Sequence, residues 1–363
     1  MSARGADEIK VIDNQSVAVQ QIDSIFADMD VPGHPGAALL VIEQGEVVYQ
    51  RGYGLANLET NQPITADSSF YLASVSKQFT ALVVMLLAEQ GALRYDDPLH
   101  KYFPQFPQWG AGVTVRHLIH HTSGLPEYFP LFSPNLEAKT IPEWTRDVQG
   151  ITSLAAVQRV MQEHSLLSPV GEKYLYCKTG YVLLSLIVEA ISGQPYAAFL
   201  KNRIFDPLGM KHTLVYDDSH PAPHKLAQGY IEQPDEFGHG KFLRWEYPLL
   251  TAGDGGMFST LDDLFLWDQA LNTEKLVSAV ALQQAFIAGV TNDGTSTHYG
   301  FGWMTNVFEG KHHVAHGGSL GAYNNYVIRF LDTQRTIIVL TNYRGSPGPR
   351  IRAHQVADVL FSD

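Results

Sequence analysis

Residues 74–90 read as one helix that is apolar on nearly every side, closed by Gly91. A helix without a polar face has to be enclosed on all sides. The chain must therefore supply layers around it, and 363 residues can form two domains of ordinary size, at about 150 residues each. The layers are readable on either side. Residues 36–43 and 46–53 are β-rich and meet at Gln44-Gly45, a hairpin pattern. Residues 300–306, 314–317, 323–331 and 335–342 are β-rich again, the last two turning at 332–334. Helices are expected at 14–29, 153–163, 179–191, 259–271 and 350–361, from apolar spacing and capping residues. Prolines recur between residue 98 and residue 142, among short helical patterns, and 213–250 reads as loop-rich.

This pattern predicts an α/β (α+β) fold. A central antiparallel sheet is built from both chain ends and flanked by helices. Residues 1–80 and 251–363 form that lobe, 81–250 form an inserted, mainly helical lobe, and a cleft between the two is the expected ligand site. A single cysteine, Cys177, excludes an intrachain disulfide. With 25 basic and 37 acidic residues the net charge is −12, which excludes a nucleic-acid binder relying on a basic footprint. The longest apolar run, 81–88, falls far short of the roughly 20 residues a bilayer span needs, so a soluble chain is expected. Residues 1–8 carry no apolar signal core. That leaves a cytoplasmic protein, or an exported one whose signal has been removed.

Charge is sparse, at 17% of residues, so a lysine inside the apolar helix needs a reason. Ser74-Val75-Ser76-Lys77 places a serine and a lysine three residues apart, on one helix face. A desolvated lysine loses its proton readily and can activate a serine nucleophile. Taken alone, the tetrad also reads as a capping serine and a surface lysine. Tyr176 precedes a second apolar helix and could turn its hydroxyl into the cleft, or be a packed aromatic. His316-Gly317-Gly318-Ser319 ends a strand; its glycines allow a close approach and its backbone amides could form an oxyanion hole, or it is a simple bulge.

In this order the three pieces resemble the serine β-lactamase and penicillin-binding family, closest to its class C β-lactamase, DD-peptidase and esterase branch. Tyr71-Leu72-Ala73-Ser74-Val75-Ser76-Lys77 resembles the family's nucleophile segment. His117-Leu118-Ile119-His120-His121-Thr122-Ser123-Gly124-Leu125 and Ala252-Gly253-Asp254-Gly255-Gly256-Met257-Phe258-Ser259-Thr260 resemble two further stretches, and the match runs from about residue 30 to 345. The resemblance implies a serine hydrolase working through a covalent acyl-enzyme. Ser74 would be the nucleophile, Lys77 and Tyr176 would move protons, and His316 would relay protons or bind a carboxylate. The amides of Ser74 and Ser319 would hold the oxyanion. It implies a small-molecule or short-peptide substrate, with no cofactor and no metal. One position departs: the family's Tyr-x-Asn reads Tyr176-Cys177-Lys178 here. A lysine cannot accept a hydrogen bond as asparagine does, and pointing inward it would depress the Lys77 pKa. This favours ester or amide hydrolysis, by a carboxylesterase or a peptidase/amidase, over efficient β-lactam turnover.

Other readings compete. Gly317-Gly318-Ser319-Leu320-Gly321 matches the Gly-x-Ser-x-Gly elbow of α/β-hydrolases, which requires a strand-to-helix turn. Fifteen histidines, clustered at 117, 120 and 121 and at 312, 313 and 316, raise a metal site, without a His-Glu-x-x-His motif to support it. Cys177 beside Lys178 could be a nucleophile or a buried inert thiol. A ligand sensor or scaffold that kept the fold and lost turnover is the alternative outside enzymology. Substrate choice is expected from the loops 126–150 and 213–250.

Overall fold

Both chain ends meet in one antiparallel sheet. The computed structural model describes residues 17–217, 223–234 and 240–362. Six strands run in the order Met304–Phe308, Lys311–Leu320, Tyr323–Phe330, Arg335–Thr341, Ala37–Glu43 and Glu46–Tyr53. The strand Ala37–Glu43 joins the halves, pairing Leu40 with Ile338 on one side and with Gln50 on the other. Its run of apolar residues does not alternate with polar ones because both faces are covered. Ala38, Leu40 and Ile42 enter the larger core, and Ala37, Leu39 and Val41 enter a second core beneath the helices Val17–Ile25 and Pro349–Phe361. The hairpin expected at Gln44-Gly45 is present, with both residues at positive φ, 49° and 84°. Glycine is at ease there and glutamine is not.

The apolar helix lies in the larger core. Its α-helical part is Lys77–Glu89, and every residue from Lys77 to Leu87 is buried. It runs across the expected lobe border at 80/81 and packs against the helix Lys178–Ser192, which ends on Gly193 in the left-handed conformation. The helix Leu261–Ala270 is capped by Thr260, whose hydroxyl accepts from the Asp263 amide. It is tied to the sheet by Asp268, which accepts from buried Arg329 at 2.8 Å and from Thr336 at 2.7 Å.

Two expectations need correction. Residues 213–250 are not simply loop: Gly229–Pro234 and Gly240–Trp245 pair as an antiparallel hairpin. Trp245 is buried in the larger core, so tertiary packing rather than local pattern makes the strand. Ser74 does not open an α-helix. It sits in a 3₁₀ turn, Ala73–Ser76, because Ala73 takes a φ of 50°. Expected helix 14–29 is seen as Val17–Ile25, and residues 14–16 lie outside the described residues. Among the described residues, no single helix is long and apolar enough to cross a membrane.

Candidate active site

The turn carrying Ser74 is pinned from three directions. The Leu72 amide donates to the Met257 carbonyl at 2.8 Å, Asn325 donates to the Tyr71 carbonyl at 2.9 Å, and the Val75 amide closes on Leu72 at 3.3 Å. Ala73 at φ 50° is backbone strain beside Ser74, tolerated only where the surroundings over-determine it. The strand Lys311–Leu320 lies against the same turn. Its outer edge is paired with Met304–Phe308 only as far as Ala315, which leaves the edge from His316 onward for the turn. A Cβ on Gly318 would stand 2.1 Å from the Leu72 carbonyl oxygen, whereas one on Gly317 would make only ordinary contacts. The close approach expected at this glycine pair is therefore by the protein's own backbone, and it falls on Gly318.

The three expected reactive groups come together. Lys77 is fully buried and its Nζ donates to Ser74 Oγ at 3.0 Å and to the Asp254 carbonyl at 2.5 Å. Burial pushes its ammonium down to about 8, against the opposing pull of Asp254 and Glu127. Burial pushes the Tyr176 phenol up, opposed by the neighbouring Ser74 hydroxyl. The Tyr176 ring is 39% exposed and sits over Lys77, with Nζ 5.3 Å from its centre. A shallow cleft opens beside Ser74, lined by Ser74, Tyr128, Lys178, Asp254, Ser319 and Leu320.

His316 stands behind Tyr176, their ring centres 6.2 Å apart. Its Nδ1 faces the Gly317 carbonyl at 2.6 Å and its Nε2 accepts from the Tyr299 hydroxyl at 2.9 Å. Burial first, then Lys77, push it down to about 3, so the ring is neutral near pH 7. Its partners are Gly317 and Tyr299, not the serine.

Lys178 is half-buried at the rim. Its Nζ lies 3.7 Å from Glu127 and 5.0 Å from the centre of the Phe129 ring. Lys178 is paired with Glu127 rather than with Lys77. Lys178 acts on Glu127 and Asp254, lowering both against the upward push of burial, and Lys77 is lowered by desolvation. Sequence reasoning had not singled out these two acids. Asp254 is buried, with Oδ2 accepting from Tyr128 at 3.0 Å; among the described residues its Oδ1 has no hydrogen-bond partner, nor has Glu127 Oε1, which faces Lys178 as an ion pair. An acid enclosed by Gly253, Gly255 and Gly256 in an apolar stretch was the available signal.

The competing readings meet obstacles. The Gly-x-Ser-x-Gly pentad lies in a strand that turns at Gly321 into another strand, Tyr323–Phe330, so it is not a nucleophile elbow. Cys177 is buried, and burial pushes its thiol up to about 12. The histidines disperse to separate tasks: His117 closes a capping box with Thr114, His120 bonds the Tyr299 carbonyl at 3.0 Å, and His121 accepts from the Cys177 amide. Among the described residues no three histidine, cysteine or acidic side chains converge as metal ligands would.

A family model described as Beta-lactamase matches residues 22–361. The chain belongs to the Beta-lactamase family. Within this family it is 34% identical over 337 residues to penicillin-binding protein 4* of Bacillus subtilis (strain 168), covering 89% of this chain and 71% of that relative. The octameric penicillin-binding protein homologue from Pyrococcus abyssi is 28% identical with a TM-score of 0.76, over 95% of this chain and 77% of that one. The D-amino acid amidase from Ochrobactrum anthropi SV3, complexed with D-phenylalanine, is 25% identical with a TM-score of 0.75, over 96% and 99%. The chain thus has the fold of this hydrolase family.

Proposed function

We propose that this Beta-lactamase family chain is a serine hydrolase that cleaves a small ester or amide through an acyl-enzyme on Ser74, in a cleft between the lobe 1–80 with 251–363 and the lobe 81–250. The observation that carries the reading is the buried Lys77 amine 3.0 Å from Ser74 Oγ. Burial lowers the ammonium and raises the phenol, which favours a neutral amine beside a neutral Tyr176 over a lysinium–phenolate pair. Lys77 then takes the Ser74 proton as Oγ attacks the carbonyl carbon. The Tyr176 hydroxyl gives its proton to the departing oxygen or nitrogen and is restored from the Lys77 ammonium. The amides of Ser74 and Ser319 hold the oxyanion. Water repeats the sequence on the acyl group and frees Ser74.

The substrate class follows from the family fold and from Ser74 at the cleft wall, which suit a small acyl group or the end of a short peptide. Lys178 offers donors where the family offers an acceptor, which supports ester or amide chemistry over efficient β-lactam hydrolysis. A fluorophosphonate probe or a fluorescent penicillin, together with p-nitrophenyl esters, tests this. Labelling and turnover that both vanish in Ser74→Ala are expected. Reversible binding without labelling or turnover would instead establish a sensor or scaffold.

A further inference from the structure

The segment carrying Tyr176 has no regular secondary structure between Lys173 and Cys177. Its backbone nevertheless has to place one hydroxyl on Ser74, and the Tyr176 ring is open to solvent on one side. What holds it is the stretch His121-Thr122-Ser123-Gly124, which runs alongside as a splint. The Leu167 amide donates to the Gly124 carbonyl at 2.7 Å, and the Gly171 amide to the Thr122 carbonyl at 2.8 Å. Gly124 is held to glycine here, at φ 70°, since a Cβ would stand 2.1 Å from the Ser168 carbonyl oxygen.

At the tyrosine itself one residue does the holding. The Leu175 amide donates to the His121 main-chain carbonyl at 2.8 Å, and the Cys177 amide donates to His121 Nδ1 at 3.1 Å. His121 thereby clasps the residues on both sides of Tyr176. Its ring lies 4.3 Å from the Tyr176 ring, centre to centre, nearer than Tyr299 or His316, both at 6.2 Å. Because Nδ1 accepts a backbone N–H, the neutral ring carries its proton on Nε2. Nε2 is buried without an acceptor among the described residues, in a cage of Tyr176, Tyr181 and Tyr299. The residue is fully buried and takes a φ of 57°, a conformation that costs a histidine energy and is tolerated best by glycine and asparagine. A strained, enclosed histidine with one ring nitrogen spent on the neighbour of Tyr176 is more than core packing requires.

We propose that His121 is a positioning residue for Tyr176, fixing the phenol on Ser74 through its carbonyl, its Nδ1 and its ring face. This rests on the reading of Tyr176 as the proton carrier for Ser74. The substitutions that isolate the side chain are His121→Gly and His121→Asn. Both accept the positive φ, so strain is removed as an explanation. Glycine loses the acceptor and the ring, while the asparagine Oδ1 can replace Nδ1 toward the Cys177 amide.

The experiment measures kcat and KM on p-nitrophenyl acetate, fluorophosphonate labelling of Ser74 and thermal unfolding, in the full chain. In H121G kcat is expected to fall about a hundredfold with KM unchanged, the scale of a reacting group displaced by an ångström. In H121N about tenfold of that loss is expected to return, one hydrogen bond's worth. A parental kcat in H121G, or equal losses in the two variants, overturns the proposal while Ser74 labelling still upholds the hydrolase. Turnover in the parent that survives Ser74→Ala removes the reading beneath it, and the proposal with it.

Discussion

Lys77 at the floor of the cleft and Lys178 at its rim are the same side chain in two media. Lys77 is fully buried, its amine fixed between Ser74 Oγ and the Asp254 carbonyl, and burial drives it toward neutrality. Lys178 keeps a third of its side chain exposed and lies 3.7 Å from Glu127. On the proposed reading, desolvation makes the first a base. The second lies beside a carboxylate, where it lowers both Glu127 and Asp254. The contrast places the departure from the family's asparagine at the rim, paired with Glu127, while Lys77 is held by Ser74 and the Asp254 carbonyl.

The largest test of the contrast is removal of the floor lysine. Lys77→Met is expected to lower kcat/KM on p-nitrophenyl acetate by about 10³-fold, the ordinary worth of a general base. Lys77→Arg is expected to fare no better, since a guanidinium keeps its proton. Equal activity in Lys77→Arg would break the account of Lys77 as a base.

The pH profile is the next largest. Below about 8 Lys77 holds its proton and cannot accept another; above it the amine is free. In the parent, kcat/KM should therefore rise with pH, by about tenfold per unit well below that point, and level off above it. Lys178→Met should leave this limb in place, because Lys178 is not among the charges that set Lys77. A limb displaced by about half a unit or more would show that rim and floor are one electrostatic system after all.

Restoring the asparagine sharpens the comparison further. Lys178→Asn is expected to raise nitrocefin hydrolysis by about three- to tenfold, the value of one recovered neutral hydrogen bond, and to leave the p-nitrophenyl ester rate little changed. No gain with nitrocefin would detach Lys178 from substrate choice.

The smallest effect concerns stability. Burial raises the Glu127 carboxyl pKa above its ordinary value, with Lys178 opposing. The folded state therefore binds that proton more tightly than the unfolded chain does. This contribution is full below the unfolded value and is lost as pH rises through the folded one. Glu127→Gln should flatten the fall in Tm above about pH 4.5 that thermal unfolding shows in the parent. An unchanged slope would mean that Lys178 fully compensates the acid.

The floor was more legible than the rim. Ser74, Lys77 and Tyr176 were singled out through the resemblance, since the residues alone left a capping serine, a surface lysine and a packed aromatic open, with the charge inside an apolar helix as the one conspicuous local sign. The paired strands Ala37–Glu43 and Glu46–Tyr53 were legible for a similar reason, being joined by a short turn with its own residues. Glu127 was not singled out because an acid in a loop carries no local mark of burial, and for Asp254 the flanking glycines in an apolar stretch were the one sign. Only closure of residues 126–128, 178 and 254 around one cleft makes them matter. The strands Gly229–Pro234 and Gly240–Trp245 escaped for the same kind of reason, since Trp245 is buried by distant residues rather than by its neighbours in sequence.

Gly318, pressed against the carbonyl of Leu72, ties the chemistry to the order in which the chain is made. A chain emerging from the ribosome carries Ser74 early and the strand Lys311–Leu320 late. The Lys311–Leu320 strand reaches the sheet through Tyr323–Phe330 and Arg335–Thr341, which joins the first hairpin. Until that last pairing closes, Ser74 has no wall opposite it. If Ser74 is the nucleophile proposed above, hydrolytic competence should arrive as a single late event in synthesis, so that a half-made chain exposes the serine without its opposing wall.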